Sequence, residues 1–168
     1  MMDTIRDILE VVVVAFIIAM LIRGLVIETF VVQGPSMEPT LVDGERLLVS
    51  KIAYRFGKPK RGDVVVLRYP LDPSKDYIKR VVALAGDTVE LRLGRVYVNG
   101  QLKEEPYIHF PGLYNMATLT VPEGTVFVMG DHRVNSEDSR FFGPVKQELV
   151  KGKAIVIIWP LKAAGAIK

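Results

Sequence analysis

The chain has 168 residues, 22 basic and 19 acidic, for a net charge of +3; that length suggests one globular unit, and so mild a charge argues against a nucleic-acid binder. With no cysteine and two histidines, His109 and His132, it excludes a disulfide framework, a thiol nucleophile and a multi-histidine metal centre. Hydrophobic residues make up 49%, which excludes a disordered chain and permits a real core.

Apolar residues crowd the N-terminus. Residues 11–22 are an unbroken apolar run, extended by Ile8 and Leu9 on one side and by Leu25, Val26 and Ile27 on the other. Residues 8–27 carry one charge near each end, Glu10 and Arg23, placed to snorkel to the two interfaces. About 20 mostly apolar residues cross ~30 Å of hydrocarbon, so 8–27 is expected as one transmembrane helix. A secretory signal peptide fits less well, because Asp3 and Asp7 offset Arg6 and no small-x-small site precedes Gly34. A buried core helix remains the alternative on length alone. One Arg on each side leaves charge bias silent about orientation.

Beyond Ile27 the pattern becomes short β-rich runs, at 29–32, 46–49, 63–68, 78–83, 88–93, 95–98, 125–129 and 153–159. Turn residues separate them, and Asn99-Gly100 between Tyr97-Val98 and Gln101-Leu102 predicts a two-residue hairpin. Many short strands with Gly/Pro turns argue for a mainly β, sandwich or barrel-like fold. Residues 104–120 have scattered aromatics and weak periodicity, and are expected to be a small insertion or lid.

Three segments carry candidate chemistry. Gly34-Pro35-Ser36-Met37-Glu38-Pro39-Thr40 fixes the backbone around one exposed hydroxyl, although by itself it reads as an ordinary turn. Lys79 lies among apolar neighbours in a β run, where desolvation would favour the neutral amine, a competent general base. On a strand Arg80 then faces the other way. Residues 130–144 gather Asp131, His132, Arg133, Ser136, Glu137, Asp138, Ser139 and Arg140, and the alternating signs suggest a buried hydrogen-bonded charge cluster. His132 sits between an Asp and an Arg with nothing marking it as a base, so a Ser-His-Asp reading is set aside.

The segments G-P-S-M-E-P-T-L, R-G-D-V-V-V, Y-I-K-R-V-V-A-L-A-G-D and G-D-H-R-V-N-S-E-D-S-R follow an apolar segment in that order. No single one is decisive, but together they resemble the ordered boxes of bacterial type I signal peptidases, over about residues 8–160. The resemblance implies a largely antiparallel β-sheet domain and a membrane-anchored Ser–Lys protease. Such a protease cuts signal peptides from exported preproteins after small residues at −1 and −3, with no metal or organic cofactor. It implies Ser36 as nucleophile, Lys79 as general base and Ser136 as the hydroxyl that orients the amine. Oxyanion donors would be the Ser36 N–H and a group at Gly34, where some members carry serine. Arg80, Asp131, Arg133, Asp138 and Arg140 match the charged scaffold. Val32, Met37, Leu41, Tyr77 and Ile78 would line the −1 pocket, with Phe30, Val66 and Asp76 nearer the −3 pocket. The family further implies a cytoplasmic N-terminus (1–7) and an extracytoplasmic catalytic domain (28–168) on the cytoplasmic membrane. Its partners would be signal peptides, the lipid bilayer and a nearby secretion translocon, and not nucleic acid. Trp159 suits the headgroup region, and Lys51, Arg55, Lys58, Lys60 and Arg61 suit anionic lipids. The alternatives are a mitochondrial inner-membrane relative and a non-catalytic membrane-anchored module of the same fold. A self-cleaving cytosolic repressor with the same dyad would need a DNA-binding domain where this chain is apolar.

Overall fold

The computed structural model describes residues 2–167, without the side chains of 2–5, 21–23 and 25. It opens with helix α1 (Met2–Leu25), whose side chains from Ile8 to Met20 stand mostly free of the rest of the protein. Among the described residues no helix is long and apolar enough to cross a membrane. The Arg23 side chain, expected at an interface, lies outside the described ones. α1 starts before the expected residue 8 and stops short of 27. Ile27 is already paired with Ser50, as the first residue of strand β1 (Ile27–Val31). The β-branched Val26 and Ile27 favour that ladder over another helical turn. Lys51 reinforces the junction: its N–H donates to Val26 O at 2.9 Å and its ammonium to Gly24 O at 3.0 Å, a cation at a helix C-terminus.

The chain then runs through β2 (Arg46–Ser50), β3 (Val64–Tyr69) and the 13-residue β4 (Asp72–Leu84). Next come β5 (Thr88–Arg92), β6 (Arg95–Val98), β7 (Gln101–Leu102), β8 (Met116–Thr120) and β9 (Thr125–Met129). A short helix α2 (Ser139–Phe142) leads to β10 (Val145–Lys146), β11 (Val150–Trp159) and β12 (Gly165–Ala166). The larger sheet has the order β1-β2-β11-β3-β4-β9-β10, with β12 also on β11, and the smaller has β7-β6-β5-β8. Every pairing is antiparallel, as the mainly β reading expected. β3 sits between two neighbours and is buried on both faces, whereas β5 and β6 alternate and have one face each on the core. The hairpin forms where expected, with Asn99 at φ 53° and Gly100 at φ 73°.

Strands β8, β10 and β12 had no signal of their own. β10 is a two-residue ladder on β9, and β12 folds the C-terminal tail onto Val156 and Ile157. Residues 116–120 of the aperiodic stretch form β8, whose apolar residues pair with β5. β4 begins at Asp72 rather than near 78, because pairing with β3 holds its polar first half in line.

β11 crosses β2 at Gly152, where an added Cβ would lie 2.5 Å from Ser50 O and 2.8 Å from Val49 Cγ1. Gly152→Ala is therefore expected to cost about 1–3 kcal/mol by overpacking, seen as a Tm lowered by several degrees in thermal unfolding.

Candidate active site

Ser36 lies in the loop that links β1 to β2. Val32 N–H donates to Glu45 O at 2.8 Å and Gly44 N–H to Val32 O at 3.0 Å, closing that loop at its base. Gly34 adopts φ +80°, open to glycine without strain, and its N–H donates to Asp43 Oδ1 at 2.7 Å. Gly34 was expected to help supply an oxyanion donor. It has no hydroxyl and its N–H is already committed, so it offers none. The Ser36 N–H donates to no acceptor among the described residues, while Ser36 O receives the His132 N–H at 3.1 Å.

Lys79 reaches the same point from the middle of β4, opposite Val65 of β3. Its side chain is buried, with 3% of the residue exposed. Nζ lies 2.8 Å from Ser36 Oγ and donates to Ile78 O at 3.0 Å. Burial pushes its pKa down to about 8, because the ammonium has lost its water. The carboxylates of Asp138, Glu137 and Asp131 pull the other way and are outweighed.

The next residue, Arg80, points to the opposite face, as strand alternation requires. It grips Asp131 with Nε at 2.9 Å and Nη2 at 2.6 Å, while Nη1 donates to Gly62 O at 2.9 Å. Thr40 Oγ1 donates to the second Asp131 oxygen at 2.6 Å, which ties the serine loop to the same pair. Asp138 is a hub that accepts from Gly130 N–H (3.0 Å), Ser136 Oγ (2.8 Å) and Arg140 Nε and Nη2 (both 2.8 Å). The hydroxyl expected to orient the lysine amine thus donates its hydrogen bond to Asp138, and no Ser136–Lys79 hydrogen bond forms. A buried carboxylate is the stronger acceptor. Arg133 donates to Gly130 O and, through both terminal nitrogens, to Glu105 at 2.9 and 2.6 Å.

A cleft of about 620 Å³ opens over the dyad, walled by residues 29–37 on one side and 74–79 with Glu137 on the other. Of the residues expected at the −1 and −3 pockets, Phe30, Val32, Met37, Asp76, Tyr77 and Ile78 line this cleft. Leu41 and Val66 do not: each has 0% exposure, and both lie in the apolar cluster packed around Val32 and Met37. Asp76 is paired with Lys151 at 2.7 Å.

Several contributing residues carried no sequence signal. Glu105 and Tyr107 come from the aperiodic stretch: Tyr107 OH donates to Glu105 at 3.0 Å, and its ring covers the Arg80 guanidinium at 3.9 Å. This part of 104–120 is thereby pinned to the charged scaffold. Gly130 could have been suspected from its place in the G-D-H-R segment. A Cβ there would collide with the Ser136 side chain and with Ser36 O. Tyr69 had no signal either, and its OH donates to Glu137 Oε1 at 2.6 Å. Among the described residues no three His, Asp or Glu side chains gather as metal ligands.

The family described as signal peptidase, peptidase S26, matches residues 5–159. A probable signal peptidase I-1 of Synechocystis sp. is 39% identical, over 97% of this chain and 87% of that protein. A signal peptidase IB of Staphylococcus aureus is 36% identical over 88% and 85%. The crystal structure of a signal peptidase I from Enterococcus faecalis superposes with a TM-score of 0.53 at 36% identity, covering 58% of this chain and 97% of that one.

Lys79 titrates near 8 when folded against an ordinary 10.5. The folded state thus binds fewer protons between those values, and stability rises with pH across them. Below 8 the burial penalty is fully present. Lys79→Met is expected to be more stable than wild type by on the order of 1–3 kcal/mol at pH 6–7, with the gap closing above pH 10.5 in denaturant titrations. Asp138→Ala leaves Arg140 buried without its carboxylate, and a loss of about 3–5 kcal/mol is expected in the same assay.

Proposed function

The chain belongs to the signal peptidase family, peptidase S26, and from that premise we propose that Ser36 and Lys79 are its catalytic dyad. The protein is a serine endopeptidase that removes signal peptides. The observation that carries the dyad is the 2.8 Å approach of a buried lysine amine to a serine hydroxyl at the floor of an open cleft.

Lys79, neutral, takes the Ser36 proton as Oγ attacks the carbonyl carbon after the −1 residue. The Ser36 N–H faces the developing oxyanion. Lys79 then gives the proton to the departing amine, and the mature protein leaves. Water attacks the acyl ester, Lys79 accepts its proton and returns it to Ser36 Oγ, and the signal peptide is released. Ser136 acts through Asp138, which keeps the loop behind the dyad in place. Phe30, Val32, Met37, Tyr77 and Ile78 receive the small −1 and −3 side chains. Leu41 and Val66 support them from below.

We place α1 in the cytoplasmic membrane with the β domain outside. Support comes from its apolar side chains, among them Val11, Phe16, Ile17 and Met20, which find no protein cover. Near its C-terminal end, Arg55, Phe56 and Lys58 stand exposed on the loop that starts at Lys51. Arg61 is paired with Asp87 and is less free for lipid. Trp159 and Leu161 are exposed at the end of β11, beside Arg46.

Incubation of the detergent-solubilised protein with a preprotein, followed by sequencing of the new N-terminus, tests the reading. Cleavage after small residues at −1 and −3 is expected, and loss by at least ~10³-fold in both Ser36→Ala and Lys79→Met. Turnover near wild type in either variant would remove the dyad. The rate should rise with pH and level off above about 8, as the Lys79 ammonium loses its proton, and His132→Asn should leave that midpoint where it was.

A further inference from the structure

Glu137 follows Ser136 directly and faces the cleft. Tyr69 OH donates to its Oε1 at 2.6 Å and Tyr77 OH to its Oε2 at 2.8 Å. The two phenol rings stack at 4.5 Å, so they present both hydroxyls from one rigid block. These donors hold the Glu137 carboxyl below its ordinary range. Each oxygen still has a lone pair to offer. The other charges at the rim are matched: Lys75 pairs with Asp72 at 3.0 Å and Asp76 with Lys151 at 2.7 Å. Glu137 forms no ion pair among the described residues. When Lys79 is neutral, as the proposed mechanism needs, Glu137 is a cleft carboxylate without an ion-pair partner among the described residues, and Lys75, held by Asp72, acts on it only from a distance.

We infer that Glu137 is a specificity-determining residue that binds a lysine or arginine side chain of the preprotein close to the scissile bond. This deepens the peptidase reading and rests on it. Since −1 and −3 must be small, the cation comes from −2, +1 or +2. The two tyrosines keep the carboxylate in one rotamer, so the incoming ammonium or guanidinium meets a preset acceptor instead of ordering a free side chain.

The test uses full-length protein in detergent and a reference peptide with Gln at −2, +1 and +2. Lys or Glu replaces Gln at one position at a time, and kcat/KM is compared within each enzyme. Wild type at low salt should prefer Lys over Gln by about two- to fivefold at one of these positions, and disfavour Glu there. The Lys/Gln ratio should fall to one in Glu137→Gln and below one in Glu137→Lys. In wild type it should move toward one as salt is raised to about 1 M, where the Debye length falls to ~3 Å, while Glu137→Gln shows no such trend. Equal rates for Lys and Gln at all three positions in wild type would overturn the inference. So would a Lys preference that survives in Glu137→Gln or that does not weaken at all as salt is raised. Failure of wild type to cut the Gln peptide at all would sink the peptidase reading itself, and this inference with it.

Discussion

The proposed dyad needs a dry Lys79 and a reachable Ser36, and both conditions meet at a separation of 2.8 Å. A lysine in water keeps its proton far above neutral pH and cannot act as a base. Placing it in the centre of β4, with β3 on one side and β9 on the other, removes that water. The serine sits instead on a loop at the edge of the same sheet, where a substrate backbone can approach. The fold thus solves two opposite solvation demands with one strand and one turn.

The burial has an electrostatic cost that the surrounding charges distribute. Arg80, Arg133 and Arg140 are almost wholly buried, and each is matched to a carboxylate, Asp131, Glu105 and Asp138. These pairs are expensive to desolvate and poor evidence of net stability. Their value lies in geometry. Asp131 is held by Arg80 and also accepts from Thr40, so the serine loop and the lysine strand share one anchor. Asp138 fixes Ser136 and Gly130, and Gly130 lies against Ser36 O. A displacement of any of these elements would separate the amine from the hydroxyl.

The cleft follows from the same arrangement. Strand β1 lies at the edge of the large sheet, and the exposed first half of β4 forms the opposite wall of the cleft. Between them the floor is apolar, with Val32 and Met37 at the surface of a cluster that includes Leu41 and Val66. A small side chain can enter such a floor without displacing core atoms, in keeping with the proposed preference for small residues on either side of an intervening one.

Much of this was legible in the residues. Strand alternation placed Lys79 and Arg80 on opposite faces, Asn99-Gly100 set its hairpin, and the apolar N-terminal run gave a helix. These are local properties, decided by a residue and its near neighbours. The ordered motifs pointed to Ser36 and Lys79 as a pair. What the chain did not reveal were matches between distant positions: Glu105 with Arg133, Gly34 with Asp43, Ser136 with Asp138 rather than with Lys79, and Glu137 with two tyrosines from β3 and β4. A carboxylate or hydroxyl accepts many partners equally well, and only the placement of strands and loops in space chooses among them. Whether an apolar residue lines a cleft or lies beneath it, as with Met37 and Leu41, is a matter of depth. Depth belongs to the packed structure and leaves no mark on hydrophobic periodicity.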